Sequence, residues 1–145
     1  MHRLLPFALA LVASACMSTA RAPVVEFRPR PGAIGPFSEA VRVDGLLFMS
    51  GVLGTDSTGR LAPGGIGPET AQALDNIKAV LARNGLDMDR VVKCTVFLAD
   101  IAEWGAMNRV YATYFPNSRP ARSALGGAGL VRNARVEIEC IAAVR

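Results

Sequence analysis

Histidine and cysteine are scarce in this sequence of 145 residues, which contains a single histidine, His2, and three cysteines. Because there is no Cys-x-x-Cys pair and no spaced set of Cys and His ligands, we expect no structural zinc site and no bound metal. Histidine-based catalysis is also excluded, because the single histidine lies in the N-terminal segment that is expected to be removed. A small domain held together by many disulfides is not indicated either, because such chains are rich in cysteine.

Lysines and long apolar runs are also rare. Lys78 and Lys93 are the two lysines, and the other basic residues are scattered arginines that bring the net charge to +4. A nucleic-acid surface would show clustered charge with interleaved aromatics, so we expect no nucleic-acid partner. No apolar run beyond the N-terminus reaches about 18 residues, which excludes a multi-span membrane protein. With 51% hydrophobic residues, the chain is expected to fold as one domain.

The first twenty residues have the layout of an export signal. A positive start at Arg3 precedes a short apolar stretch, which is followed by small residues up to Cys16. We therefore expect residues 1–20 to be a signal peptide and residues 21–145 to be an exported, periplasmic domain. The small residues before Cys16 suit either ordinary cleavage or a lipoprotein signal, and lipidation of Cys16 is the only expected attachment to a membrane. A mis-assigned start codon is the remaining alternative.

The exported domain retains two cysteines. Cys94 and Cys140 each lie within an alternation of apolar residues, which is typical of a buried strand. A buried free cysteine behaves as a small apolar side chain. We expect two buried free thiols, with a disulfide between them as the alternative.

Turn, capping and periodicity signals predict two helices and five strands in the order β-β-α-β-α-β-β. Asp44-Gly45 supplies the positive φ angles of a tight hairpin turn, and Pro116 ends the second helix. A helix between strands implies a parallel crossover, so both helices are expected on one face of a mixed sheet. The predicted fold class is α+β, a two-layer sandwich. The predicted strands are 38–43, 46–50, 91–98, 119–125 and 135–144, the helices are 67–84 and 100–115, and 21–36 and 51–67 are an extended arm and a loop.

The sheet face without helices is predicted to be too apolar for water. We expect it to be buried against other copies of the chain, because soluble monomers rarely expose large apolar patches. The residues assigned to this face are Leu46, Phe48, Ser50, Val91, Lys93, Thr95 and Phe97.

Arg122 is the strongest candidate for binding a small anion. It lies near the start of a predicted strand, where its planar guanidinium could bind a carboxylate through two parallel hydrogen bonds. The alternative is a surface arginine paired with Glu137 or Glu139 on the last strand.

Several segments of the chain resemble the RidA (YjgF) family in order and spacing, and together they cover residues 33–144. The resemblance implies a chorismate-mutase-like α+β fold. It also implies a homotrimer whose sheets face an inner barrel and whose pockets lie at the three subunit interfaces. The segments that carry the resemblance are 33–41, 46–51, 91–98, 108–115, 120–123 and 136–139.

The activity implied by this resemblance is hydrolysis of reactive 2-imino or enamine acids, such as 2-aminoacrylate and 2-iminobutanoate, to 2-oxo acids and ammonia. No cofactor is implied. Arg122 corresponds to the arginine that binds the substrate carboxylate, and Glu137 to the glutamate associated with the attacking water. Ser50, Phe37 and Asn108 are expected to bind the substrate together with Arg122, and Asn108 corresponds to an asparagine near the subunit interface.

Three residues depart from the family pattern. Phe37 stands in place of the usual tyrosine, Val52 in place of glutamine, and Ala124 in place of a cysteine. These changes alter the wall of the expected pocket. A non-enzymatic trimer outside the cytoplasm, which binds small carboxylates or holds unfolded proteins, is therefore the alternative function. The ribonuclease activity attributed to some relatives is supported here by the basic charge alone.

Overall fold

The computed structural model describes residues 21–30, 32, 36–127 and 129–144, so the predicted signal peptide and Cys16 lie outside the described residues. No helix of the described part is long and apolar enough to cross a membrane. Three short 3-10 turns accompany the regular elements, at Met88–Arg90, Ile101–Glu103 and Val131–Asn133. The strands are β1 (Val25–Arg28), β2 (Ala40–Val43), β3 (Leu46–Met49), β4 (Val52–Leu53), β5 (Val91–Leu98), β6 (Ala121–Gly126) and β7 (Val136–Ala143), and the helices are α1 (Ile66–Arg83) and α2 (Trp104–Thr113).

All of these strands belong to one mixed sheet, with the order β1-β2-β3-β7-β5-β6. β5 and β6 are parallel, and the other neighbouring pairs are antiparallel. β3 and β4 both pair with β7, β3 near its C-terminal end and β4 near its N-terminal end. They are therefore two parts of one strand that is interrupted at Ser50 and Gly51. This arrangement confirms the predicted α+β class with a mixed sheet.

Local sequence signals explain the turns that connect these elements. The predicted β2–β3 hairpin is confirmed, and Asp44 in its turn has a φ of 49°. The 3-10 turn before α2 begins at Asp100, whose side chain accepts a hydrogen bond from the Ala102 amide. α1 ends at Arg83 and is followed by Gly85, whose φ of 71° suits a residue without a side chain.

Both helices cover the same face of the sheet, as predicted. The core lies between them and the strands, where alternate residues of β5 and β7 point toward the helices. The opposite face is left open and carries exposed apolar side chains, with Phe48 40% and Leu125 49% exposed. Val91, which the alternation assigned to the open face, is buried in the core, because a bulge between Val91 and Lys93 shifts the register of β5 against β7.

Two further expectations about the strands were wrong. The predicted extended arm contains β1, which pairs with β2, and the predicted loop after Gly51 contains β4. β6 and β7 do not pair with each other, because β5 lies between them. The crossover through α2 returns the chain parallel to β5, so β7 is left to join β5 to β3.

The prediction of two free thiols was also wrong. Cys94 and Cys140 are bonded in a disulfide between the central strands β5 and β7. The two residues are directly opposite in the ladder, and both side chains are buried on the helix side. The pairing depends on the register of two strands that are 46 residues apart in the chain, which the local alternation does not reveal.

Candidate functional site

Arg122 lies on β6, the edge strand beside β5. It pairs in register with Cys94, so its side chain is on the helix side of the sheet. There Nη2 of Arg122 donates a hydrogen bond of 2.7 Å to Oδ1 of Asn108 on α2. The prediction grouped Arg122 and Asn108 in one site, and the structure brings these two side chains together.

Two aromatic rings of α2 complete the surroundings of Arg122. The guanidinium carbon lies 4.4 Å from the centre of the Tyr111 ring and 5.9 Å from that of Trp104. Cation–π contacts of this kind hold a guanidinium in one orientation without neutralising its charge. Trp104, Asn108 and Tyr111 lie four and three residues apart and therefore share one face of the helix. The signal in the sequence for this group is the polar Asn108 between two aromatics at helical spacing.

Arg122 has no acidic partner in the described part of the chain. The four ion pairs found there involve other arginines, such as the pair between Arg83 and Glu39. The alternative that Arg122 pairs with Glu137 or Glu139 is therefore wrong. Both glutamates belong to the other parity of β7, whose side chains lie on the open face of the sheet.

Glu137 packs against the break between β3 and β4. A Cβ atom added to Gly51 would lie 1.9 Å from Oε1 of Glu137, so only glycine leaves room for this carboxylate. The adjacent Ser50 donates a 2.7 Å hydrogen bond from Oγ to the carbonyl oxygen of Ser38. The structure thus places Glu137 against Gly51, the chain neighbour of the predicted site residue Ser50, and Gly51 is a residue that the prediction missed.

Phe37 lies in a cleft beside Ser50 and Gly51. Its ring is 72% exposed and lines a surface cleft together with Ser50, Gly51 and Val52. Val52 also packs partly against the core, and Ala124 does so on the far strand β6. Of the three departures from the family pattern, Phe37 and Val52 therefore border the cleft beside Ser50.

Arg122 and Glu137, the two predicted catalytic residues, thus lie on opposite faces of the sheet. The cation group consists of Arg122, Asn108, Trp104 and Tyr111 on the helix side. The carboxylate group contains Glu137, which lies against the break between β3 and β4. Because the sheet separates Arg122 from Glu137, one copy of the chain does not bring both to the same small molecule. Among the described residues, no three His, Cys, Asp or Glu side chains lie close enough to hold a metal ion.

The Tyr111 hydroxyl, next to Arg122, is buried. Burial raises the pKa of Tyr111 to about 12, although the positive charge of Arg122 acts in the opposite direction. The phenol is therefore neutral at physiological pH and does not compensate the guanidinium. Since none of the ion pairs among the described residues involves Arg122, the cation group favours an anionic ligand.

Comparisons with known proteins agree on one family. A family model described as Endoribonuclease L-PSP matches residues 27–144. The 2-iminobutanoate/2-iminopropanoate deaminase of Mus musculus is 47% identical over 127 residues, which cover 87% of this chain and 94% of that protein. The chloroplastic Reactive Intermediate Deaminase A of Arabidopsis thaliana is 41% identical over 138 residues, covering 94% of this chain and 72% of that protein.

A solved structure extends the comparison from sequence to fold. The crystal structure of E. coli TdcF with bound serine superposes with a TM-score of 0.72 at 31% sequence identity, and the match covers 83% of this chain and 97% of that one. The family model and the relatives both span nearly all of the folded part described above. The chain therefore belongs to the RidA (YjgF) family and is a deaminase-like enzyme.

Proposed function

We propose that this protein hydrolyses reactive 2-imino acids, and the enamines that convert to them, to 2-oxo acids and ammonia. The observation that carries the proposal is the state of Arg122, a guanidinium oriented by Asn108, Tyr111 and Trp104 with no carboxylate partner among the described residues. Such an arginine is prepared for a carboxylate supplied by a ligand. The curated relatives named as deaminases of 2-imino acids support the same substrate class.

The complete site is formed between two copies of the chain, within a homotrimer. Arg122 and Glu137 lie on opposite faces of one sheet, so the residue that complements Arg122 comes from a neighbouring copy. The open sheet face supports this assembly, since its exposed apolar side chains, Phe48 among them, would be covered by other copies.

Substrate binding begins with the carboxylate. Arg122 of one copy binds the carboxylate through two parallel hydrogen bonds, because the contact with Asn108 uses Nη2 and leaves other N–H donors free. The substrate side chain lies against Phe37 of the neighbouring copy. The hydroxyl of Ser50, which already donates to Ser38, is available to this substrate as an acceptor.

The chemical step is the addition of water to the imine carbon. Glu137 accepts a hydrogen bond from the water and takes one of its protons as the new C–O bond forms at C2. The nitrogen receives the proton held by Glu137 and becomes an amine. It then receives the proton of the new C2 hydroxyl and leaves as ammonia when the C–N bond breaks, while C2 becomes the carbonyl of the 2-oxo acid, so Glu137 ends as the free carboxylate. The imine carbon is already electrophilic, so orientation and one proton acceptor suffice and no cofactor enters the reaction.

The test is ammonia release from 2-aminoacrylate and 2-iminobutanoate generated in the assay. We expect the wild-type protein to accelerate it and Arg122→Lys to lose on the order of 30-fold or more in kcat/KM, because lysine lacks the two-pronged geometry. Arg109→Lys is the control, since Arg109 is an exposed arginine of α2 and this variant should retain full activity. A folded wild-type protein with no acceleration, or an Arg122→Lys variant with unchanged kcat/KM, would contradict the proposal.

A further inference from the structure

The disulfide lies directly beside the strand that carries Arg122. Cys94 on β5 is opposite Cys140 on β7 and is also the register neighbour of Arg122 on β6. Both cysteines are buried, with 0% and 2% of their surface exposed. The covalent bond therefore joins the central strand β7 to β5 at the level of the proposed carboxylate-binding arginine.

β6 depends on β5 for its position. Among the described strands, β5 is the only one that pairs with β6, so a displacement of β5 moves Arg122 as well. The ladder between β5 and β7 is irregular close to this point, since a bulge separates Val91 from Lys93. A slip of one residue beyond such a bulge would turn every side chain of β5 to the opposite face.

We propose that the Cys94–Cys140 disulfide is a positioning device for Arg122, which fixes the register of β5 just beyond the bulge and through β5 the place of the guanidinium. This inference rests on the proposed function only in assigning carboxylate binding to Arg122. A cross-link that acted only by restricting the unfolded chain would stabilise the whole domain without affecting β6 in particular.

The cross-link also requires oxidising surroundings. Its formation removes two electrons and two protons from the thiols of Cys94 and Cys140, and a disulfide donor of the compartment accepts them and becomes a dithiol. Such donors act in the periplasm and other extracytoplasmic compartments. The inference therefore joins the predicted export of residues 21–145 to the geometry of Arg122.

Hydrogen exchange distinguishes a disulfide that positions β6 from one that only stabilises the whole domain. The double variant Cys94→Ala/Cys140→Ala removes the cross-link, and Val96→Ala/Ile138→Val is the matched control, because this pair is the next buried pair along the same two strands. In the double cysteine variant we expect the β6 amides to exchange at least about tenfold faster, while β1 and β2 are unchanged. In the control variant β6 should stay as in the wild type.

Equal exchange of β6 in the wild type and the double cysteine variant would overturn the inference, as would equal acceleration of every strand. Ligand affinity gives a second readout. We expect the Kd for 2-oxobutanoate, measured by calorimetry, to rise several-fold in the double cysteine variant and to be unchanged in the control. If the wild type binds no 2-oxo acid, the proposed function of Arg122 fails, and the exchange of β6 still decides whether the disulfide positions that strand.

The bond itself is checked on full-length protein exported with residues 1–20. Alkylation under denaturing conditions, followed by mass spectrometry, should label neither Cys94 nor Cys140 without reductant and both after reduction. Two labelled cysteines in the unreduced exported protein would overturn the inference at its first step. The same chain lacking residues 1–20 and kept in the cytoplasm should show two free thiols, and protection there would contradict the requirement for an oxidising compartment.

Discussion

The two faces of the sheet differ in how many contacts the chain itself makes to their charged site residue. On the helix side, Arg122 is surrounded within its own chain by Asn108 and two aromatic rings. On the other side, Glu137 occupies the space that a Gly51 side chain would need, and it has no hydrogen-bond partner among the described residues. One face thus supplies a prepared cation, and the other supplies a carboxylate whose surroundings are incomplete.

This difference explains why the enzyme is expected to need more than one copy. An arginine held by a helix of its own chain can bind an anion without a second copy. The reaction also needs a proton acceptor close to the bound carboxylate. The sheet keeps Glu137 away from the Arg122 of the same chain. Under the proposed function, assembly through the open apolar face is therefore the step that would create a complete site, and substitutions on the two faces should affect different properties.

The largest effect is expected from mixing two inactive variants. Arg122→Ala removes the cation, and Glu137→Gln removes the proton acceptor, so each variant alone should lose on the order of 100-fold or more in kcat/KM. When the two are co-expressed, each site takes Arg122 from one copy and Glu137 from another. Random assembly would then restore about a quarter of the wild-type sites.

The control for this experiment is the double variant Arg122→Ala/Glu137→Gln mixed with the wild type. Wild-type and double-variant copies in equal amounts should also yield about a quarter of intact sites, because both residues must come from wild-type copies. If the mixed single variants stay as inactive as each variant alone while exchanging subunits, Arg122 and Glu137 act within one copy and the site between copies is excluded.

The next prediction compares substitutions at two adjacent residues of β3, one of which should affect folding and the other assembly. Leu47 is buried under the helices and Phe48 lies on the open face. Leu47→Ala should lower the free energy of unfolding by about 2–5 kcal/mol, because it leaves a cavity in the core. Phe48→Ala should have a smaller effect on folding and should shift the sedimentation coefficient toward that of a single chain. A Phe48→Ala variant that keeps the wild-type assembly would show that this face is not the interface.

Most elements of the fold could be predicted because their signals are local. The Asp44-Gly45 turn and the eight-residue strand β5 were predicted at the positions that the structure confirms. β1 was missed because its four residues lie in a segment punctuated by proline and glycine. β4 was missed because it has two residues and pairs with β7, which is distant in the chain. The order of β5, β6 and β7 likewise depends on packing around α2, which no local pattern specifies.

The arrangement of the predicted site residues could not be derived from the sequence. The resemblance to the RidA family led to Arg122, Asn108, Glu137 and Ser50. The structure joins Arg122 to Asn108 by a hydrogen bond and places Glu137 against Gly51, the chain neighbour of Ser50. The separation by the sheet follows from the register of β5 with both neighbours, which is a tertiary property. Gly51 was missed because its role depends on the closeness of a distant carboxylate rather than on a turn.

A smaller effect is expected from Asn108→Ala. This change removes the hydrogen bond to Nη2 of Arg122 and leaves the aromatic contacts in place. Since such a bond contributes about 1–2 kcal/mol, KM for 2-iminobutanoate should rise roughly five- to thirtyfold with little change in kcat. Asn84→Ala is a control in which a side-chain amide that bonds the Val80 carbonyl of α1 is removed far from Arg122. A fall in kcat at constant KM would mean that Asn108 acts in the chemical step instead.

The smallest effect concerns the two tyrosines of the chain, Tyr111 and Tyr114. Burial raises the pKa of each to about 12 from an ordinary value of 10.0, and for Tyr114 the hydrogen bond to Asp75 adds to burial. A raised pKa means that the folded state favours the protonated phenol. The stability linked to these groups is therefore fully present below pH 10 and is lost as the pH rises from about 10 to about 12.

Rapid pH-jump measurement of phenolate absorbance tests this expectation before the protein unfolds. The native protein should show a single transition near pH 12 and none near 10, and Tyr111→Phe should halve its amplitude. Tyr111→Phe should also leave ligand binding by Arg122 unchanged, because the Tyr111 hydroxyl is buried without a hydrogen-bond partner among the described residues and the ring remains to contact the guanidinium. A native transition near pH 10 that disappears in Tyr111→Phe would mean that Tyr111 is open to solvent, and the helix-side surroundings of Arg122 would then be as incomplete in one chain as those of Glu137.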